Sequence, residues 1–110
     1  MSEALLVLTT CPDDAVADRI ALALVEQGVA ACVSRWAPVS SIYRWQGKLE
    51  RATEVPLLIK TTRERYGDVE QAIRHLHPYE LPEIIALPVT AGHAGYLRWI
   101  ESATQPPLVA

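Results

Sequence analysis

The run His75-Leu76-His77-Pro78-Tyr79-Glu80-Leu81-Pro82-Glu83 holds the densest set of reactive side chains in the sequence. Its imidazoles, phenol and carboxylates could ligate a metal or hold a polar ligand. On a regular helix His75 and His77 point about 200° apart, so they cannot share one ion. Only His77, at the helix end before Pro78, is free to turn into a site. Its other reading is a C-terminal imidazole that favours the helix dipole, followed by a proline-stiffened turn. First-row metals accept imidazole and thiolate together, which makes Cys11 the natural partner of His77. Cys32, within Ala30-Ala31-Cys32-Val33, reads as a small buried hydrophobe.

Glu80 and Glu83 are either an acid–base pair or two solvated carboxylates on a surface turn. Lys60 follows Ile59 late in an apolar strand, where its amine either snorkels or meets Glu54, Glu80 or Glu83. The polar-ligand candidates are therefore Lys60, His77, Tyr79, Glu80 and Glu83, and the metal candidates are Cys11 and His77. Lys60, Arg63 and Arg65 would instead receive an anion. Trp36 and Trp45 read as interface anchors. Neither HExxH nor CxxC is present, and the five glycines form no phosphate loop. Ser40-Ser41 lies in a strand, without the strand-turn-helix setting of a nucleophile elbow. No nucleophile or cofactor motif accompanies the carboxylates, so no enzymatic activity is expected.

The elements that must position these residues follow from periodicity. Ala4 to Thr10 is a nearly continuous apolar run, as in a strand buried on both faces. Asp13 or Asp14 caps a helix whose apolar side is Ala17, Ile20, Ala21, Leu24 and Val25, ending at Gly28. From Val29 to Trp45 the period moves toward two, and Gln46-Gly47 is a two-residue loop before a return strand from Leu49 to Thr61. The resulting hairpin is far longer than ordinary strands of about 5 to 6 residues. Pro38 and Pro56 place a bulge or an edge in each strand. Thr61 or Thr62 opens the second helix, with Thr61 and Glu64 at capping-box spacing and Tyr66, Val69, Ile73 and Leu76 as its stripe. Pro78 ends it. Ile84 to Val89 is a short strand, and Gly92 precedes a last helix with Tyr96, Leu97 and Ile100 on one face. Pro106-Pro107 closes the chain, residues from about 103 to 110 forming a tail.

The order strand, helix, long hairpin, helix, strand, helix predicts an α+β, ferredoxin-like sandwich (βαββαβ) with an extra C-terminal helix. Its 110 residues suit a single domain. Half the residues are apolar and mean hydropathy is +0.11, which is rich for so small a body. Helices on one face would leave the other side of the sheet bare, and the long arm needs a surface to cover it. Both features predict an oligomer. A net charge of −3 argues against nucleic-acid and membrane-surface roles. The apolar run Ala4 to Leu8 follows Glu3 and lacks a basic flank and a small-residue cleavage site, and no stretch reaches the roughly 18 apolar residues that span a bilayer. With only two cysteines, a cytoplasmic setting with reduced thiols is expected.

Five segments resemble the CutA divalent-cation tolerance family in order and spacing. They are Ala31-Cys32-Val33, Ser41-Ile42-Tyr43-Arg44-Trp45-Gln46-Gly47-Lys48, Ile59-Lys60-Thr61-Thr62, His77-Pro78-Tyr79-Glu80-Leu81-Pro82-Glu83-Ile84-Ile85 and Tyr96-Leu97-Arg98-Trp99-Ile100. The resemblance runs from about Leu5 to Ile100. It implies a ferredoxin-like fold, a homotrimer built through the long hairpins, a cytoplasmic setting and a link to copper and other divalent metals. In copper-binding members the ligands are a cysteine near the end of the first strand and two adjacent histidines before Pro-Tyr. Here Thr9 stands at the cysteine position, with Cys11 two residues later, and Leu76 replaces the first histidine, while His77 keeps the second. The architecture also resembles trimeric PII-type regulators, which hold anionic ligands between subunits. A third reading is a trimeric scaffold in which the polar cluster only staples subunits together.

Overall fold

The computed structural model describes residues 3–106. Five strands and three helices follow in the order β1 (Ala4–Cys11), α1 (Asp14–Glu26), β2 (Cys32–Arg35), β3 (Val39–Trp45), β4 (Lys48–Thr62), α2 (Tyr66–Leu76), β5 (Ile85–Pro88) and α3 (Ala94–Ala103). The strands form an antiparallel sheet in the order β2-β4-β1-β5, with β3 continuing on β4 beyond β2. This is the ferredoxin-like arrangement, in which the arm strands β2 and β3 lie together at one edge. The expected tail begins later than about 103: Ala103 ends α3 and Thr104 is buried, its hydroxyl donating to the Ile100 carbonyl at 2.8 Å, while residues 107–110 lie outside the described residues.

β1 and β4 form the centre, in register from Ala4 opposite Thr62 to Cys11 opposite Val55. Their inward residues alternate strictly, with Leu5, Val7, Thr9 and Cys11 facing Thr61, Ile59, Leu57 and Val55. Together with Ala17, Ile20 and Leu24 of α1 and Val69 and Ile73 of α2 they make the core. β1 was expected to be buried on both faces; its burial instead alternates residue by residue. The second face carries Leu6, Leu8, Leu58, Ile85 and Leu87, and in the single chain it stays only partly covered. α3 contacts β4 and β1, and its buried Ile100 lies outside the α1/α2 core. The sheet is therefore less bare than the pattern implied.

Asp13 caps α1, its carboxylate accepting the Val16 N–H at 2.9 Å. Gly28, at φ +70°, supplies the left-handed residue that ends it. The hairpin loop is as expected: Gln46 and Gly47 have φ of 50° and 80°, the double positive φ of a type I′ turn. The arm strand is broken, however. Arg35 pairs Leu57 and Val39 pairs Glu54, so three residues (36–38) oppose two on β4. This is a β-bulge on the Pro38 side, while β4 runs through Pro56 without interruption.

The expected capping box at Thr61 does not form. Thr61 is an inward residue of β4, and its hydroxyl donates to the Val29 carbonyl at 2.6 Å. A turn through Thr62 and Arg63 intervenes, and α2 begins only at Tyr66. α3 is capped by His93, whose Nδ1 accepts the Tyr96 N–H at 3.1 Å.

Candidate functional site

His77 ends α2 in extended backbone, its N–H bonded to the Ile73 carbonyl at 2.8 Å. Leaving the helix turns the ring inward. His77 is buried while His75 stays exposed, so the two imidazoles diverge as their spacing required. Nδ1 accepts the Tyr79 N–H at 3.1 Å and Nε2 lies 2.7 Å from the Thr10 carbonyl. A carbonyl only accepts, so Nε2 carries the proton and the ring is neutral. Both nitrogens are thereby used in pinning the segment after Pro78 to β1.

That pinning delivers Tyr79 to Glu54. The Tyr79 hydroxyl donates to Glu54 Oε2 at 3.1 Å, and the Thr10 hydroxyl donates to the same oxygen at 3.2 Å. Glu54 is only 7% exposed and, among the described residues, has no cation at ion-pair distance. Burial, then the bond to Glu54 and that carboxylate's charge, push the Tyr79 phenol up to about 12. The phenol thus remains a donor at any physiological pH. Glu83, at the rim, is also raised, first by desolvation and then by Glu54. These groups line an open cleft of about 900 Å³ between the arm and the Tyr79–Ile85 segment. Glu80 and Glu83 join Glu54 there, Tyr43, Trp45 and Ile42 come from the arm, and Arg44 is the one lysine or arginine in the wall.

Lys60 is not part of this cleft. It sits six residues along β4 from Glu54, about 20 Å at 3.3 Å per residue. Its amine donates to Ser34 Oγ at 2.7 Å and lies 3.8 Å from Cys32 Sγ, instead of meeting a carboxylate. Arg63 is paired with Glu3 at 2.9 Å and Arg65 with Asp68 at 3.1 Å. The three cations proposed for an anion are therefore occupied separately. Sequence reading missed Glu54 as a site residue. It lies 25 residues from Tyr79 in sequence, in a strand whose outward period offers only a weak hint.

The Cys11 and His77 pair does not fit a copper ion as it stands. Cys11 is fully buried, and burial, then Asp13 and Glu54, raise its thiol to about 11, leaving it protonated. His77 has no free lone pair, Thr9 offers only a buried hydroxyl without a hydrogen-bond partner, and Leu76 is apolar. Among the described residues no three His, Cys, Asp or Glu side chains come together in a manner that could hold a metal ion.

Residues 5–103 match the family described as CutA1 divalent ion tolerance protein. The divalent-cation tolerance protein CutA of Thermus thermophilus is 45% identical over 98 residues, which cover 89% of this chain and 95% of that one. The CutA homolog of Xenopus laevis is 47% identical over 91 residues, 83% of this chain but 60% of its own. The chain spans little more than half the length of such vertebrate relatives. Among solved structures, CutA1 from the psychrotrophic bacterium Shewanella sp. SIB1 superposes with a TM-score of 0.92 at 45% identity, covering 96% of this chain and 98% of that one. A structure from Archaeoglobus fulgidus, described as a periplasmic divalent cation tolerance protein, gives a TM-score of 0.90 at 34% identity over 93% and 99% of the two chains. No helix among the described residues is long and apolar enough to cross a membrane.

Proposed function

Because this chain belongs to the CutA1 divalent ion tolerance family, we propose that it serves cation tolerance as a non-enzymatic binding protein whose ligand is positively charged. The observation that carries this reading is Glu54. A carboxylate so buried is costly unless a cation compensates it, and two neutral hydroxyls do so only in part. Glu80 and Glu83 add charge of the same sign around it. Tyr79 and His77 position the wall, and Lys60 acts elsewhere, on the outer sheet face.

The working body is a homotrimer of single 110-residue domains in the cytoplasm. β2/β3 at one edge and β5 at the other leave unpaired backbone, and the outer face carries half-exposed Ile85 and Leu87. An edge-to-edge contact of unlike surfaces must close into a ring to avoid open growth. Two free, unbridged cysteines agree with a reducing compartment.

Differential scanning of the full-length protein against inorganic and organic cations and against nucleotide anions tests the reading. Cations raise the melting temperature, nucleotides do not, and Glu54→Gln removes the effect. Stabilisation by nucleotides, lost in Lys60→Gln, would move the assignment to a PII-like anion site. Indifference to every ligand would leave a scaffold. Cu(II) titration of His77→Ala isolates that residue: binding equal to the parent removes it as a ligand.

A further inference from the structure

We infer that His93 makes the first turn of α3 a proton-sensitive latch, closed on the neutral imidazole and released when the ring takes a proton. The side chain is the helix cap: Nδ1 accepts the Tyr96 N–H at 3.1 Å, while the His93 carbonyl accepts the Leu97 N–H at 3.0 Å. Asparagine, serine and threonine, common residues at this position, keep their acceptor oxygen at every pH from 5 to 8. An imidazole does not, because protonation turns both ring nitrogens into donors. Protonated His93 would meet the Tyr96 N–H with an N–H of its own. It would also set a positive charge on the positive end of the helix dipole. Both effects have one sign: the cap supports α3 while the ring is neutral and is lost as pH falls.

Gly95 shows that room is kept for this ring. Glycine weakens a helix, and Gly95 does not have the positive φ that would require it. A Cβ there would stand 3.0 Å from His93 Cε1 and 3.4 Å from Nδ1. His93 itself is exposed, so protons reach it freely. The charged group beside it is Arg98 of α3, whose Nη2 lies 4.0 Å from the same Cβ position. No carboxylate among the described residues is bonded to the imidazole or paired with it. Nothing acidic is therefore arranged to hold the protonated ring in the closed position.

The latch governs an aromatic pair. Tyr96 and Trp99 are exposed on α3, their ring centroids 5.5 Å apart. Tyr96 belongs to the turn that His93 caps, whereas the far end of the helix is held by buried Ile100 and Thr104. Release thus frees Tyr96 from Trp99 and leaves the rest of α3 on β4 and β1.

Nuclear magnetic resonance of the full-length protein between pH 7.5 and 5.0 tests this. At pH 7.5 the His93 ring is the Nε2–H tautomer. As it protonates, the exchange protection of the Tyr96 and Leu97 amides falls about fivefold, the size of one helix cap. Core amides of α1 and α2 hold their protection and report that the fold is intact. His93→Asn, which caps without titrating, stays protected throughout, and His93→Ala is weakly protected throughout. Gly95→Ala separates the latch from helix propensity. Its methyl group displaces the ring, so protection is low at pH 7.5 and indifferent to pH, although alanine by itself favours a helix. A gain of protection in Gly95→Ala with the pH response intact overturns the inference. So does an acid-induced loss that persists in His93→Asn, or parent amides that ignore protonation of the ring.

Discussion

At Cys11, burial first, and then the charges of Asp13 and Glu54, raise the thiol from 9.0 to about 11. At Tyr79, burial and the bond to Glu54 raise the phenol from 10.0 to about 12. Both groups are therefore held neutral by the fold. Their contribution is complete below the unfolded values and is lost as pH rises through the folded ones. Urea unfolding followed against pH should show stability nearly level from about pH 7 to about pH 9 and falling from there toward 12. Cys11→Ser, which no longer titrates in that range, should start lower but flatten the first part of the fall. Glu83, also raised, has the same sign in a lower pH window. Its ionised form is disfavoured in the folded chain, so Glu83→Gln should raise the melting temperature at neutral pH, with the difference vanishing below about pH 4, where the wild-type side chain is protonated. Much of this site was legible: Tyr79, Glu80 and Glu83 stand together in sequence and together in the cleft. Glu54 was not, because its role depends on a strand pairing and on a phenol arriving from 25 residues away. Lys60 was placed correctly in its strand, but periodicity gives a face and not a distance along it.

The elements were read most securely where local chemistry and tertiary need coincide. Asp13 and Gly28 bound α1 because a short carboxylate and a left-handed glycine satisfy the helix ends whatever surrounds them. Asp13→Ala should therefore cost about 1 kcal/mol in chemical denaturation. Gln46-Gly47 marked the hairpin for the same reason, although Gln46 at φ 50° is an unfavourable choice for the first turn position. Gln46→Asn should stabilise by on the order of 0.5–1 kcal/mol, since asparagine visits the left-handed region readily. Gly47→Ala should destabilise by about 1 kcal/mol, because its φ of 80° strains any Cβ although nothing crowds the position. Equal denaturation midpoints for the three hairpin proteins would show that turn geometry does not limit arm stability. Where the two levels disagree, pattern failed. Thr61 and Glu64 have capping-box spacing, yet the inward register of β4 commits the Thr61 hydroxyl to Val29. Pro38 announced a break, but only the pairing of β2 and β3 with β4 shows that the extra residue belongs to the arm's first strand.

For the molecule as a whole, the apolar surplus has a location. Trp36, Ile42 and Leu49 on the arm and Ile85 and Leu87 on β5 are each at least half exposed in the single chain. Scattered apolar side chains are normal on a soluble surface, but these five occupy the two ends of one sheet whose edge strands lack partners. If each copy presents its arm edge to the β5 edge of the next, three copies complete a ring and no edge remains. Light scattering of the parent should then give three times the 12.1 kDa chain mass, unchanged on dilution through the micromolar range. Charges placed on one side of that contact should open it. Ile85→Lys with Leu87→Lys leaves the α1/α2 core untouched, since neither residue belongs to it. The double variant should keep its far-ultraviolet circular dichroism, lose the trimer mass and melt at lower temperature. A variant that retains the trimer mass would exclude the outer face of β5 from the interface. A parent that scatters as a stable monomer would require the exposed arm to serve a different partner.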